Sequence, residues 1–525
     1  MIDYTVAEIA EIVGGTLVDI SPQEAEQRRV TGTVEFDSRA VGPGGLFLAL
    51  PGARADGHDH AASAVAAGAV AVLAARPVGV PAIVVSPEPD VTADALTGVL
   101  EHDADGSGAA VLAALAKLAK AVAAELVVGG LTIIGITGSS GKTSTKDLVA
   151  AVLKPLGEVV APPGSFNNEL GHPWTVLRAT RGTDYLILEM SARHPGNIAA
   201  LARVAPPAIG VVLNVGTAHL GEFGSREIIA QTKSELPQAV PASGVVILNA
   251  DDPAVAAMAE VTAARVVRVG RATATGAGWA GPGDVWAGPV SLDRLARPQF
   301  TMHAGDAAAQ VRLGVYGDHQ VSNALCAGAV ALECGASVSQ VAAALAEAGP
   351  VSRHRMQVST RPDGVTVIDD AYNANPDSMR AGLQALAWIA RGEAESTAAS
   401  QPGVRPQSRR SWAVLGEMAE LGADAITEHD HIGRLAVRLD VSRLVVVGTG
   451  RSMSAMYHGA VMEGSWGTEA VSVPDRDAAL ALLRAEIQPG DVVLIKASNS
   501  AGLGELADAL ACADAGCQDR GSAHS

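Results

Sequence analysis

Residues 135–146 read Gly-Ile-Thr-Gly-Ser-Ser-Gly-Lys-Thr-Ser-Thr-Lys and directly follow the apolar run Leu-Thr-Ile-Ile at 131–134. The order is strand, glycine turn, then Lys-Thr at the head of an amphipathic helix. Gly138 and Gly141 let backbone N–H groups curl around phosphate oxygens, which makes Ser139, Ser140 and Ser144 candidate phosphate contacts. Lys142 is placed to reach the outer phosphates, and the Thr143 hydroxyl to hold Mg²⁺. The general phosphate loop needs a glycine at position 136, where Ile136 stands. What remains is a shorter form, Thr137-Gly138-x-x-Gly141-Lys142-Thr143. The chemistry implied is binding of a nucleoside triphosphate.

Other polar groups stand just after apolar strands, where open α/β sheets bind ligands. Glu189 ends one such run. Asn214 ends another and leads to Thr217, Ala218 and His219. A carboxylate and an imidazole beside a phosphate loop are candidate metal ligands; N-caps and surface turns use the same residue types. Asn167 and Asn168, in the polar stretch 165–171, would cap a helix or hold a phosphate or sugar. His319 and Asn323 lie four apart, hence on one helical face. The run 369–378, Asp-Asp-Ala-Tyr-Asn-Ala-Asn-Pro-Asp-Ser, is denser in amides and carboxylates than a plain turn needs and reads as a ribose and phosphate site. The stretch 416–422, Gly-Glu-Met-Ala-Glu-Leu-Gly, also follows a strand but is less specific.

The elements that would position these groups fall into three units, as 525 residues exceed what one core organises. Over 1–105, short strand and helix signals alternate, with a helix over 5–13 ending at Gly14-Gly15. A polar stretch at 102–108 and an Ala-rich helix over 109–126 lead into the phosphate-loop strand. Over 106–349, continuous apolar runs at 185–189, 209–214 and 245–249 indicate strands covered on both faces, hence a doubly wound α/β domain. Residues 271–315 lose that rhythm and predict short antiparallel strands. Over 350–525, strands at 365–368, 412–415, 444–447 and 492–495 predict a second Rossmann-like domain. A Ser/Ala/Gln/Pro/Arg-rich loop at 392–411 interrupts it, and a disordered tail follows 511.

Composition excludes several classes. With 56 acidic against 38 basic residues the net charge is −18, and no general basic field exists for nucleic acid. Four cysteines without CxxC spacing argue against a zinc site or a disulfide framework. Charges interrupt each apolar stretch, and the N-terminus lacks the pattern of a secretory signal. These features predict a cytoplasmic protein without a membrane span.

Together the segments resemble the Mur ligase family, whose members build the peptide stem of the bacterial cell-wall precursor. The short phosphate loop, the stretch 214–219, the helix start at 317–323 and the Asp370 segment carry the resemblance, which spans nearly the whole chain. Residues 372–376 and 415–422, with Asp37-Ser38-Arg39 and Asp56-Gly57-His58, are most like the branch that adds D-alanyl-D-alanine to UDP-MurNAc-tripeptide. The Asp-Asn-Pro-Arg tetrapeptide of the branch that adds a single amino acid is missing.

The resemblance implies ATP and Mg²⁺, an acyl-phosphate intermediate and a monomeric enzyme with small-molecule substrates. It implies Thr143, Glu189, His219 and a carbamylated Lys233 at the metals, with Lys142, Lys233 and His219 as the catalytic set. ATP would also meet Asn323, Arg355, Asp370 and Asn373, with Arg355 preferred to Arg353. Ser38, Arg39, Asp56, Gly57, His58, Asn167, Asn168, Tyr372 and Asn375 would meet the other substrates. Members commonly carry Lys-Gly-Ser-Arg near the C-terminus, whereas this chain has Lys496-Ala497-Ser498-Asn499. The alternatives are a single-amino-acid Mur ligase, a folylpolyglutamate synthase-like ligase, and a nucleotide-dependent switch that joins no substrates. The N-terminal unit disfavours the folate enzyme, and the idle Asp370 segment disfavours the switch.

Overall fold

Strand Thr132–Thr137 lies inside a ten-stranded sheet, between the parallel strands Tyr185–Glu189 and Ile209–Val212. The computed structural model describes residues 3–52, 55–87, 100, 103, 105–216, 220–272, 278, 280–281, 283–398, 409–464 and 469–511. Beyond Ile209–Val212 the sheet continues through Val245–Asn249, Arg265–Arg271 and Val285–Ala287, all parallel. It ends in an antiparallel group, Pro298–Ala304 with Ser291–Leu292 and Ala307–Arg312. The expected antiparallel strands over 271–315 are therefore present, except that Val285–Ala287 extends the parallel ladder.

Helices cover both faces, which is why the strands are apolar throughout. In the register, Gly135 stands opposite Gly210. A side chain on Gly135 would meet Leu236 at 3.1 Å, and one on Gly210 would meet Val240 at 2.8 Å. This glycine pair lets helix Arg226–Ala239 lie against the sheet and brings its Lys233 toward the phosphate loop.

The first unit is a five-stranded sheet in the order Thr16–Val18, Ala82–Val84, Ala69–Ala74, Gly45–Leu48, Val34–Glu35. Helix Ser107–Val128 joins it to the central sheet. Its Leu115, Leu118 and Val122 are fully buried in one cluster with Ile9, Leu46 and Leu73 on one side and Ile133 and Leu186 on the other. Each such burial contributes about 1.5–3 kcal/mol. Tyr4 Oη donates to Glu125 at 2.6 Å and ties the first strand to the same helix.

The third unit is a six-stranded sheet, parallel except for its edge strand Gln357–Thr360. Strands Thr366–Asp369, Val492–Lys496 and Ser411–Leu415 lie side by side at its centre. Helix Pro376–Ala398 runs into the segment expected to be a loop from 392. Its regular hydrogen bonding continues past the last apolar residues, where composition alone reads as loop. The rest of that loop up to 408, and the tail after 511, lie outside the described residues.

Candidate active site

The C-terminal ends of the central strands converge on the phosphate loop. Asn214 braces it from the next strand: its Oδ1 accepts from Ser140 N at 2.9 Å, and its Nδ2 donates to the Ser140 carbonyl at 3.1 Å. Ser139 Oγ accepts from Gly216 N at 2.9 Å. Gly141 has φ +83°, and a side chain there would come within 2.7 Å of Asn323 Oδ1. Asn323 thus packs on the turn from helix Gln320–Glu333, its Nδ2 donating to Gln320 Oε1 at 2.9 Å. His319, the N-cap of that helix, keeps helical backbone angles, and it and Asn323 line one space, in line with their four-residue spacing.

Lys142 Nζ folds back onto the Gly138 carbonyl at 2.7 Å. Burial draws its pKa below the usual lysine value, and Glu189 opposes that shift. Thr143 Oγ1 donates to Glu189 Oε2 at 3.3 Å, an oxygen also approached by Ser165 Oγ and Asn167 Nδ2. Glu189 is fully buried, and its second oxygen, Oε1, has no partner. Burial pushes its pKa above the carboxylate range, opposed by Lys146, Lys142 and Arg355. A buried carboxylate with one idle oxygen beside a threonine hydroxyl fits a hard divalent cation, which takes oxygen ligands.

Lys233 is also buried and has no ion-pair partner among the described residues; burial, then Lys142, hold its pKa well below the ordinary lysine value. His219 lies outside the described residues.

A cavity of about 520 Å³ opens over the loop, lined by residues 139–144, Asn167, Asn168 and Arg193 from the central unit and by Arg355, Asn373, Asn375 and Glu420 from the third. A second space of about 250 Å³ adjoins it, lined by His319, Asn323, Asp370 and Lys496 and sharing Ser140, Gly141, Ser144 and Arg355. Lys496 is almost fully buried, donating to Asp370 Oδ2 at 2.5 Å and to the Asn373 carbonyl at 2.9 Å. The guanidinium of Arg355 lies 4.3 Å from the Tyr372 ring centre, whereas Arg353 pairs at the surface with Asp508.

Several residues expected to contact ligands also have partners within the protein. Asn168 Oδ1 accepts from Gly171 N, and Asn375 Oδ1 from Ser378 N, so both amides terminate helices while lining the cavity. His58 is buried with both ring nitrogens engaged: Nδ1 lies 2.7 Å from Asp56 Oδ1, and Nε2 accepts from Ala75 N at 3.1 Å. Asp56 also pairs with Arg76 at 2.8 Å. A side chain on Gly57 would strike the Leu50 backbone at 2.7 Å. Residues 56–58 therefore hold a turn in which both ring nitrogens of His58 have partners inside the first unit. Ser38 and Arg39 line neither cavity, and the exposed Arg39 pairs with Asp37.

Three contributors carry little local signal. Lys146 is buried on the phosphate-loop helix and bonds to the Pro162 carbonyl and to Ser352 Oγ, tying that helix to the entrance of the third unit. Arg193 meets Glu420 at 3.0 Å across the cavity. In the sequence, Lys496 stands out only as part of a departure from a motif. A lysine ending an otherwise apolar strand, as Lys496 does, was the one available sign.

Residues 32–120 match the family description "Mur ligase family, catalytic domain", 136–331 match "Mur ligase middle domain" and 354–499 match "Mur ligase, glutamate ligase domain". The chain is 78% identical over 525 residues to the UDP-N-acetylmuramoyl-tripeptide–D-alanyl-D-alanine ligase of Mycobacterium tuberculosis, covering 98% of this chain and 99% of the relative. It is 30% identical to the Escherichia coli ligase of the same name, covering 97% and 99%. Among solved structures, MurF from Acinetobacter baumannii superposes with a TM-score of 0.76 at 28% identity over 97% of this chain and 99% of that one. MurF ligase from Thermotoga maritima, in complex with ADP, gives 0.69 at 26% identity over 92% and 97%.

Proposed function

The chain belongs to the Mur ligase family, and from that premise we propose that it joins D-alanyl-D-alanine to UDP-N-acetylmuramoyl-tripeptide at the expense of ATP, giving the UDP-MurNAc-pentapeptide. The relative of that name, 78% identical over nearly the full length of both chains, supports the substrates. The observation that carries the chemistry is the cavity in which the phosphate loop faces Arg355 and Asn373 of the third unit, with the half-satisfied Glu189 buried behind Thr143. A monomer acting in the cytoplasm belongs to the same reading. It accords with small soluble substrates, and no helix among the described residues is long and apolar enough to cross a membrane.

A carboxylate is a poor acyl donor. Its oxygen attacks the γ-phosphorus of ATP, ADP leaves, and an acyl phosphate forms. The neutral amine of the dipeptide then attacks the acyl carbon. The tetrahedral intermediate expels phosphate and the nitrogen loses a proton, leaving the amide. Positioning and charge neutralisation carry most of the rate in such transfers.

In this reading the backbone of 138–141 and the residues Ser139, Ser140 and Ser144 hold the phosphates, and Lys142 exchanges the Gly138 carbonyl for phosphate oxygens. Asn323, Asp370 and Asn373 hold the nucleoside end, and Arg355 reaches over the phosphates. Thr143 and Glu189 would hold Mg²⁺ together with His219 and Lys233. Bound Mg²⁺ would offset the repulsion between phosphate oxygens and the incoming carboxylate. Lys233 serves as a carbamate: its uncharged amine adds to the carbon of CO₂ and loses a proton, replacing a buried amine by an anion. Asn167 braces Glu189. Asn375 lines the cavity wall, Tyr372 backs Arg355, and Ser38 and Arg39 remain with the UDP-sugar through a part of the ligand beyond the two cavities.

The test is phosphate release from ATP with UDP-MurNAc-tripeptide and different amines. Turnover with D-alanyl-D-alanine alone, and a pentapeptide product by mass, is expected. Turnover with a single amino acid would move the chain to another branch of the family, and no turnover with any UDP-sugar peptide would overturn the reading.

A further inference from the structure

Arg355 crosses the cleft toward the phosphate loop, and the backbone that carries it is twisted. Its two neighbours, His354 and Met356, both have positive φ, +56° and +47°. L-residues rarely adopt that conformation, and it persists only where the surroundings over-determine it. Three contacts do so. His354 Nδ1 lies 2.7 Å from Asp369 Oδ2. Met356 N donates to Asp370 Oδ1 at 3.1 Å. Tyr372 N donates to the His354 carbonyl at 3.1 Å. All three partners belong to the strand end and turn 369–372, the segment that also supplies the Tyr372 ring under Arg355.

We propose that the His354–Asp369 pair is a positioning device for Arg355, holding the twisted segment so that the guanidinium lies over Tyr372 and faces the nucleotide phosphates. The inference rests on residues 138–144 being the ATP site. Arg355 borders both the cavity over the phosphate loop and the adjoining space beside Asn323, so it stands where phosphates and nucleoside meet. Its charge acts on Lys142 and Glu189 from one side and on Lys496 from the other. An unheld arginine at a domain junction would lose affinity by sampling other rotamers; a clamped one has that order built in. Asp369 is buried, which gives its bond to the imidazole weight. Asp508, the other carboxylate near His354, is engaged by Arg353 at 2.8 Å.

The experiment is calorimetric titration of the full chain with a non-hydrolysable ATP analogue and Mg²⁺. No UDP-sugar or dipeptide is present, so a failed ligase assignment leaves the result readable. His354→Gly accepts the positive φ but removes the ring, and affinity should fall about tenfold. His354→Asn tolerates the same backbone and places an amide N–H where Nδ1 stood, so it should bind within about threefold of the parent. In an Arg355→Ala background, His354→Gly should cost less than about twofold, because the group it positions is gone. Parent-like binding by His354→Gly would overturn the proposal, and so would an equal loss with and without Arg355. If thermal melts show that His354→Gly does not fold, Asp369→Ala takes its place in the cycle, with the same loss expected and parent-like binding again overturning the idea.

Discussion

Lys233 would pass in the sequence for a surface lysine on a polar helix, yet it is buried close enough to Lys142 to be repelled by it. A buried ammonium without an anionic partner is costly unless it is discharged or chemically converted, and carbamylation converts it into an anion that Lys142 and Mg²⁺ would offset. Lys233→Ala should therefore lose most ligase activity while keeping its melting temperature, and short carboxylates in the buffer should restore part of it. Full activity in the variant would remove the carbamate. Glu189 shows the same tension in the opposite sign, a buried carboxylate with an idle oxygen. Both residues were picked out in the sequence, Glu189 from its place at a strand end and Lys233 only through the family resemblance. For Asn168 the sequence offers helix capping beside ligand contact, and the structure shows both amides, Asn168 and Asn375, using part of their hydrogen-bonding capacity at helix starts.

At the scale of elements, the glycine turn was legible because strand, turn and helix are contiguous. Gly141 needs a left-handed backbone, and Asn323 leaves no room for a Cβ. Gly141→Ala should cost about 1–2 kcal/mol of stability from the backbone alone, and should weaken nucleotide binding further by displacing Asn323. Thermal melts and analogue titration check both; an unperturbed affinity would mean that the turn adapts. Most strands were legible as continuous apolar runs, with ends misplaced by a residue or two. Strand 209–214 stops at Val212 because Asn214 turns its amide into the phosphate loop instead of the ladder. The continuation of Pro376–Ala398 past 392 was not legible, since composition there favours loop.

At the scale of the whole molecule, polar contacts between the central and third units among the described residues include Arg193–Glu420, Lys146–Ser352 and Trp388–Asp293. A partly exposed ion pair such as Arg193–Glu420 contributes about 0–1 kcal/mol, and ligands that touch both walls shift the population toward closure. Small-angle scattering should show a smaller radius of gyration when an ATP analogue and the UDP-substrate are added together. An unchanged profile would argue against closure.

The sequence by itself determined that the chain is a multi-unit α/β protein with a short phosphate loop, because those features depend on neighbours along the chain: apolar continuity, glycine spacing and a Lys-Thr helix start. It also carried the family resemblance through motifs that are each local. Only the tertiary structure decided that Arg355 enters the cleft while Arg353 faces Asp508, that Lys496 pairs with Asp370 across 126 residues of chain, and that His58 is consumed inside its own unit. These outcomes depend on which sheet edges and helix ends meet and on which polar groups find partners when buried, and sequence spacing does not encode that between distant segments.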